Sequence, residues 1–378
     1  MASVSLSGGD DRTMLYRRLV GIVAITSIVV VLVTYARQSL RPSVSVNLQR
    51  AWEEQVRSVK PWISWSPSGK RLAFGVRSGE IAIMAVDGLA IMHTARGDDW
   101  SFSFGNSDGE LLLSVPPSGE LRIQSIDTGS QRKPKMPAAT TNHYVISADG
   151  NLMAGTGKDF LYVWECSSGS LLATLPWSYA HPRGVRFSPA EGLVAYGIRS
   201  PLAVKLWDVK GCRPARTLAG AGGDFDFSPD GKKLAASYHF ESVRLWNVQT
   251  GQLLPQPVIE WGSAGHPATV AYSPDGRLIA SGGSDLRSSG GLLRFFSKSA
   301  PSRSIGGMVK ISDAQSGDEL WSEKVSTNGR VIAVAFSPDG KWLSASTDGG
   351  KAKVILWSIQ ASYPPASGKM PAVKVRLR

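Results

Sequence analysis

Residues Val334–Ser346 read VAFSPDGKWLSAS: a short alternating segment, a Ser-Pro-Asp-Gly turn and a second apolar segment. Proline biases the residue before it toward an extended or turn backbone, and Asp-Gly tolerates the positive φ that closes a hairpin. The chain repeats this unit closely as VAYSPDGRLIASG and FDFSPDGKKLAAS, and more loosely elsewhere, in copies that start at Ile63, Phe102, Tyr144, Val185, Phe225 and Val270. The segment therefore predicts a β-hairpin that recurs along the chain.

The spacing of the copies predicts the fold. Successive turn glycines are 39 to 45 residues apart, except the last two, which are 64 apart; they are Gly69, Gly109, Gly150, Gly192, Gly231, Gly276 and Gly340. A period of about 40–45 residues is typical of one four-stranded propeller blade. A third alternating strand follows each hairpin, as in VRLWNVQTG from Val243. We therefore predict an all-β, seven-bladed β-propeller with four-stranded blades over residues 61–360, preceded by one transmembrane helix that is discussed below.

Four tryptophans occupy the same position of the third strand and are predicted to pack between neighbouring blades; they are Trp164, Trp207, Trp246 and Trp357. With the recurring Ser-Pro-Asp-Gly turns, these units resemble WD40 repeats of a degenerate kind. Only Trp207-Asp208 spells the dipeptide that names the family. The resemblance implies a propeller that binds other proteins.

The ring of blades has to be closed by an outer strand in the last blade. Two segments alternate well enough to supply it: SVSVNLQ from Ser43 and AVKVRLR from Ala372. The second follows its blade directly, so we expect the basic C-terminal segment, residues 361–378, to supply the closing strand. Residues 37–60 are then expected to be a linker.

The N-terminal region contains an apolar segment, Leu19–Tyr35, without a charged residue. At 1.5 Å per residue it spans roughly 26 Å as a helix, just enough for a bilayer core. We predict a transmembrane helix over residues 19–36 that acts as a signal anchor after a short tail, residues 1–18. The alternative is a signal peptide cleaved near Ala36. Because three arginines lie close to each side, the positive-inside rule sets the orientation weakly, and we expect the propeller on the non-cytoplasmic side.

The net charge of +12 does not by itself indicate nucleic-acid binding. Residues 1–60 and 361–378 carry +8 of it, so the blades are nearly neutral and lack a basic stripe for a phosphate backbone. The five histidines form no metal-ligand pair, and the two cysteines are expected to be free thiols. The sequence therefore predicts no metal, no cofactor and no catalytic site, although a site built by side chains converging on the central channel stays open.

The long sixth unit contains an insertion, residues 285–307, between its second and third strands. Its serines and glycines favour flexibility, while its cationic and apolar side chains favour contact with a protein partner or a membrane surface. The expected contact residues are Arg287, Arg294, Phe295, Phe296, Lys298 and Arg303. The alternative is a tolerated insertion without a role.

These features together predict a single-pass, membrane-anchored propeller that serves as a non-catalytic scaffold for protein–protein interaction, with protein partners that the sequence does not identify. The alternative is a secreted or periplasmic propeller that binds, or acts on, a small molecule or glycan in its central channel.

Overall fold

The structure is a computed structural model of the 378-residue chain. It describes the residues 45–57, 62–77, 80–96, 102–105, 111–114, 122–132, 143–147, 149–157, 159–177, 184–190, 192–199, 201–238, 241–261, 265–285, 306–349 and 351–362. The compact unit formed by the described residues runs from Val46 to Ala361.

The described strands form seven four-stranded sheets, and each sheet has an inner, a second, a third and an outer strand. The inner strands are β2 (Ile63–Trp65), β6 (Phe102–Gly105), β10 (His143–Ile146), β14 (Val185–Phe187), β18 (Ala221–Phe227), β22 (Gly265–Tyr272) and β26 (Val331–Phe336). The second strands are β3 (Arg71–Arg77), β7 (Leu111–Ser114), β11 (Leu152–Thr156), β15 (Leu193–Arg199), β19 (Lys233–Tyr238), β23 (Leu278–Asp285) and β27 (Trp342–Thr347).

The third strands are β4 (Glu80–Ala85), β8 (Arg122–Ser125), β12 (Phe160–Glu165), β16 (Leu202–Asp208), β20 (Ser242–Asn247), β24 (Gly306–Asp313) and β28 (Lys353–Ser362). The outer strands are β5 (Ala90–Arg96), β9 (Gln131–Arg132), β13 (Leu171–Pro176), β17 (Arg213–Ala219), β21 (Ile259–Glu260), β25 (Glu319–Ser326) and β1 (Ser45–Gln55). Inner strands of neighbouring sheets contact one another in chain order, and β26 contacts β2. The predicted all-β propeller with four-stranded blades is confirmed.

The outer strand of the last sheet corrects the expected ring closure. The position beside β28 is taken by β1, from the N-terminal side of the chain, and not by the C-terminal segment that the sequence favoured. Val56 N–H donates to Ala352 O (2.9 Å), and Ser358 Oγ donates to Gln49 O (3.4 Å), so β1 and β28 run in opposite directions. Most of the expected linker, residues 37–60, is therefore a strand of the propeller, while residues 363–378 lie outside the described part of the chain.

The Ser-Pro-Asp-Gly segments form the turns between inner and second strands. In the last sheet, Ser337 Oγ donates to Asp339 Oδ1 (2.6 Å) and accepts from the N–H of Trp342 (3.0 Å). Gly340 has a φ of 72°, in the left-handed region that glycine adopts at little cost. The serine hydroxyl thus satisfies backbone and aspartate at once, which explains why the same four residues recur.

The hydrophobic core lies between neighbouring sheets, because each sheet turns apolar side chains to both faces. One cluster combines Val204 and Leu206 of the fourth sheet with Phe225 and Trp246 of the fifth. The repeated tryptophans take part as predicted: Trp164, Trp246 and Trp357 are almost fully buried, and Trp207 is half-buried against another cluster. Trp246 and Trp207 thus belong to apolar clusters that join neighbouring sheets.

The membrane and insertion predictions fall outside the described residues. Among the residues that are described, no helix is long and apolar enough to cross a membrane, and residues 19–36 are not among them. The sixth sheet does show where the insertion belongs, because β23 ends at Asp285 and β24 begins at Gly306. The insertion thus joins the second and third strands of that sheet, as the sequence predicted.

Candidate functional site: the central cavity

A cavity of about 420 Å³ lies at the centre of the ring of sheets. All seven inner strands line it with the residues just before their turns, as Trp65 does on β2 and Tyr272 on β22. These turn ends therefore share one side of the propeller, which we name the turn face. Because clefts of about 300–1,000 Å³ are typical of small-ligand sites, the cavity is large enough to receive a ligand.

One position of the repeat faces the cavity in every sheet. It is the residue two places before the turn serine, or its equivalent in the second unit, and we name these seven residues the ring positions: Ser64, Ser103, Val145, Arg186, Asp226, Ala271 and Ala335. Five of them are uncharged. The two charged ring positions are Arg186 on β14 and Asp226 on β18. They belong to adjacent sheets and place a positive and a negative side chain next to each other on the cavity wall.

The Arg186 guanidinium is held by the wall of the cavity. Its Nη2 lies 3.2 Å from Oδ1 of Asp224, a fully buried carboxylate on β18, and its Nη1 donates to Val185 O (2.9 Å). The other Asp224 oxygen accepts from Thr269 Oγ1 (2.8 Å), which itself accepts from the N–H of Val334 (3.3 Å). These bonds cross from the fourth sheet to the seventh, so Arg186 is held in position.

Asp226 is in a different situation. Its Oδ2 accepts from the backbone N–H of Tyr272 (2.9 Å), and among the described residues no cationic side chain lies within ion-pair distance of it. Burial raises the pKa of Asp226 to about 6, against the opposing effects of the Arg186 charge and the Tyr272 hydrogen bond. Among the described residues, Asp226 is therefore a carboxylate on the cavity wall that lacks the direct guanidinium contact made by Asp224.

Tyrosines on two inner strands keep their hydroxyl protons near the cavity. Burial raises the pKa of Tyr144 to about 12 and raises the pKa of Tyr272 still further, in the second case with the help of the Asp226 and Asp230 charges. Both phenols are thus neutral over the physiological range, and among the described residues the charge of the cavity wall depends on Arg186, Asp224 and Asp226.

The six contact residues predicted from the sequence lie outside the described residues; they are Arg287, Arg294, Phe295, Phe296, Lys298 and Arg303. The ends of their insertion are placed, however. Asp285 pairs with both Gly265 and Gly306, at the end of the sixth sheet away from the Pro274–Gly276 turn. The insertion therefore starts on the face of the propeller opposite the turn face.

The ring positions match no known catalytic or metal-ligand spacing, so short sequence motifs do not reveal them. The signal was nevertheless present in the repeat. When the units are aligned on their turns, the same position is small or apolar in five copies and charged only at Arg186 and Asp226. A charged residue at an otherwise uncharged position of a repeat is a marker for a site.

Metal chemistry finds no support in the described part of the chain, where no group of three His, Cys, Asp or Glu side chains is arranged to hold an ion. The turn aspartates are occupied otherwise: hydrogen bonds from the Ser228 hydroxyl and the Lys232 N–H lower the pKa of Asp230. Cys166 and Cys212 are exposed and not bonded to each other.

Comparisons with known proteins agree with this fold. The model of the WD40 family (WD domain, G-beta repeat) matches residues 261–287 and 321–357, which lie in the last part of the ring. The chain is 26% identical over 208 residues to WD repeat-containing protein SL1-17 of Schistosoma mansoni, covering 54% of this chain and 60% of that protein.

Two further relatives are similar over smaller shares of their own length. Small ribosomal subunit protein RACK1z of Arabidopsis thaliana is 32% identical over 100 residues, covering 26% of this chain and 23% of that protein. Human apoptotic protease-activating factor 1 is 26% identical over 248 residues, covering 59% of this chain and 18% of that protein. The chain thus spans less than two thirds of each of these relatives, and it is a β-propeller with sequence similarity to WD40-repeat proteins.

Proposed function

We propose that this chain is a membrane-anchored, seven-bladed WD40-type propeller that acts as a non-catalytic scaffold for protein–protein interaction. Residues 19–36 would hold it in the membrane, with the propeller on the non-cytoplasmic side. The insertion of the sixth sheet would bind a protein partner. The similarity to WD repeat proteins supports the scaffold class, because rigid propellers present variable loops without disturbing their blades.

The proposal rests on two points of the chain that lie at opposite ends of the sheets: the start of β1 and the start of the insertion. β1 begins beside the last residues of β28, where Ile359 N–H donates to Lys341 O next to the turn, so the chain enters the propeller at the turn face. The insertion starts at Asp285, on the opposite face. Eight residues separate residue 36 from Ser45 and reach at most about 28 Å when extended. A protein partner that binds the insertion would therefore approach the face opposite the one where β1 begins.

The test uses full-length tagged chain solubilised from membranes, beside a variant in which residues 288–305 are replaced by a short Gly-Ser linker. Both variants keep the Asp285–Gly306 pairing and should unfold at the same temperature. A stoichiometric partner that co-purifies with the first and is lost from the second supports the scaffold. A matched control changes Phe295 and Phe296 to serine, which keeps the length and charge of the insertion while removing its large aromatic groups.

The anchor is tested separately by alkaline extraction of membranes and by mass analysis of the mature N-terminus. Retention in the membrane with residues 19–36 intact supports the anchor. Release of a chain cleaved near Ala36 would overturn it and leave the second candidate, a secreted or periplasmic propeller that binds a small molecule or glycan. The central cavity, with Arg186 and Asp226 in its wall, is the observation that keeps this second candidate in view.

A further inference from the structure

Among the described residues of the cavity wall, the charged side chains do not balance one another. Arg186 is matched by Asp224, which it contacts at 3.2 Å, and Asp224 is fully buried behind the wall. Asp226 adds a second carboxylate at a ring position, where it is hydrogen-bonded to the backbone of Tyr272. With both carboxylates ionised, the three side chains sum to one negative charge. Buried charge without a matching partner is unfavourable, and such groups mark binding sites in clefts more often than elsewhere.

We infer that the central cavity binds an organic cation, an amine or a guanidinium, through the carboxylate of Asp226. Hydrogen bonds from an ammonium or guanidinium group to a carboxylate are charge-assisted and therefore strong, and they are strongest where water is excluded. The other ring positions leave room for the cation, since Ser64, Ser103, Ala271 and Ala335 are all small.

An anion or a metal ion fits this wall less well. Arg186 already directs Nη2 to Asp224 and Nη1 to Val185 O, so its charge is largely spent inside the protein. A hard metal ion takes six or more oxygen ligands, several of them carboxylates as a rule, whereas Asp226 is the single carboxylate among the described residues that line the cavity. An organic cation needs one carboxylate and room beside it, which this cavity supplies.

Two sources of such a cation share this chemistry. One is a Lys or Arg side chain of the protein partner, inserted from the turn face; this source rests on the proposed function. The other is a free amine in solution, which requires no partner at all. The site itself is independent of the choice, so its test can succeed even where the scaffold proposal fails.

The test is calorimetric titration of the full-length chain in neutral detergent with four probes of one size: butylamine, butylguanidinium, butanol and butyrate. We expect the two cations to bind and the alcohol and the anion not to bind. Asp226→Asn keeps an acceptor for the Tyr272 N–H and should weaken cation binding at least tenfold. Asp87→Asn makes the same charge change at an exposed site outside the cavity and should leave the affinity unchanged.

The same titration at several pH values gives a second readout. Asp226 has to be ionised to bind, so the affinity for butylamine should fall about tenfold from pH 7 to pH 5 and should not fall in Asp226→Asn. The groups that face Asp226 are Asp224 on its own strand and Arg186 and Tyr272 on neighbouring strands; burial raises the pKa of Tyr272, so this phenol keeps its proton at both pH values.

A variant that blocks the cavity provides a second test, which does not depend on the folding of Asp226→Asn. Ser103→Lys places an amine at a ring position of a sheet without charged ring positions, and it should reduce cation binding while the thermal unfolding temperature is retained. Equal binding of butylamine by the folded Asp226→Asn chain, or preferential binding of butyrate, overturns the inference.

The sources are then separated with the pentapeptides Gly-Gly-Lys-Gly-Gly and Gly-Gly-Leu-Gly-Gly. Tighter binding of the first than of butylamine supports a partner side chain. Exclusion of both peptides, with butylamine still bound, supports a free amine.

Discussion

Asp224 lies 3.2 Å from Arg186 and 2.8 Å from Thr269, so one buried carboxylate joins the inner strands of three successive sheets. Arg186 Nη2 contacts one of its oxygens and Thr269 Oγ1 donates to the other. Both lone-pair sites toward the neighbouring sheets are thereby satisfied, which is the condition under which a buried charge is tolerated. The propeller is thus held near its axis by a polar network as well as by the apolar clusters between its sheets.

Asp224→Asn should destabilise the propeller by about 2–3 kcal/mol, because it leaves the half-buried Arg186 without its counter-charge. The loss is smaller than for a fully buried pair, since about a quarter of the Arg186 side chain is exposed to solvent. Urea unfolding followed by tryptophan fluorescence measures the effect, with Asp87→Asn as the control. A change below about 0.5 kcal/mol would show that the pair contributes no more than a surface ion pair.

Asp226→Asn should instead stabilise the propeller, and the size of this stabilisation should depend on pH. The pKa of Asp226 in the folded chain, about 6, lies above its ordinary value of 3.8, so the folded chain binds the proton more tightly than the unfolded chain. Stability contributed by this group is therefore present at pH 4 and is lost as the pH rises through 6. The variant should be more stable than the original chain by about 2 kcal/mol at pH 7.5 and equally stable at pH 4. Equal unfolding midpoints at both pH values would contradict the assigned pKa.

Two equivalent tryptophans provide a matched pair of substitutions. Both are almost fully buried, but Trp357 Nε1 donates to Glu323 Oε2 (3.0 Å), whereas Trp164 Nε1 finds no hydrogen-bond partner among the described residues. Changing either to phenylalanine removes a similar apolar area. We expect Trp357→Phe to cost about 1–2 kcal/mol more than Trp164→Phe, the value of one bond to a charged acceptor. Equal costs in thermal unfolding would indicate that the Trp357 bond contributes nothing net.

The repeat made the blades predictable from the sequence, because each local signal was tied to one structural element. Ser337, Asp339 and Gly340 form the turn that their residue types predict, and the third-strand tryptophans bury as their fixed phase in the repeat predicts. These features depend on contacts within one blade or between a blade and its neighbour, and the same contacts recur around the ring. Because these contacts recur, the same residue types recur at the same positions of the repeat, and this pattern made the turns and the buried tryptophans predictable.

The polar network of the inner strands was not predictable in this way. Asp224 lies at an irregularity of β18, where the pairing with β19 shifts register between Gly222 and Phe225. Such a bulge re-aims a side chain and breaks the period of two on which strand predictions rest. Its partners Arg186 and Thr269 are 38 and 45 residues away, in other repeats. A pair of single residues at this distance leaves no local pattern in one sequence.

Two segments with equal alternation could supply the strand that closes the ring. Which of them does so depends on contacts between residues far apart in the sequence. The C-terminal segment follows its blade directly, and proximity along the chain favoured it. The chain instead returns its N-terminal strand, where Glu53 Oε1 lies 2.6 Å from Nζ of Lys353 and Trp52 packs on Phe74. Closure by β1 joins residues near both ends of the propeller, so that neither end strand is left unpaired.

The closure of the ring by β1 can be tested by substitutions on β1 and by removal of the C-terminal segment. Leu48 is buried on β1, whereas Asn47 beside it is exposed. Leu48→Asp should destabilise the propeller by about 3 kcal/mol, because it places a charge at a buried position, and Asn47→Asp should change stability by less than about 0.5 kcal/mol. Removal of residues 363–378 should leave the urea midpoint unchanged, since the position beside β28 is already filled. A truncated chain as unstable as Leu48→Asp, with Leu48→Asp itself harmless, would transfer the closing role to the C-terminal segment.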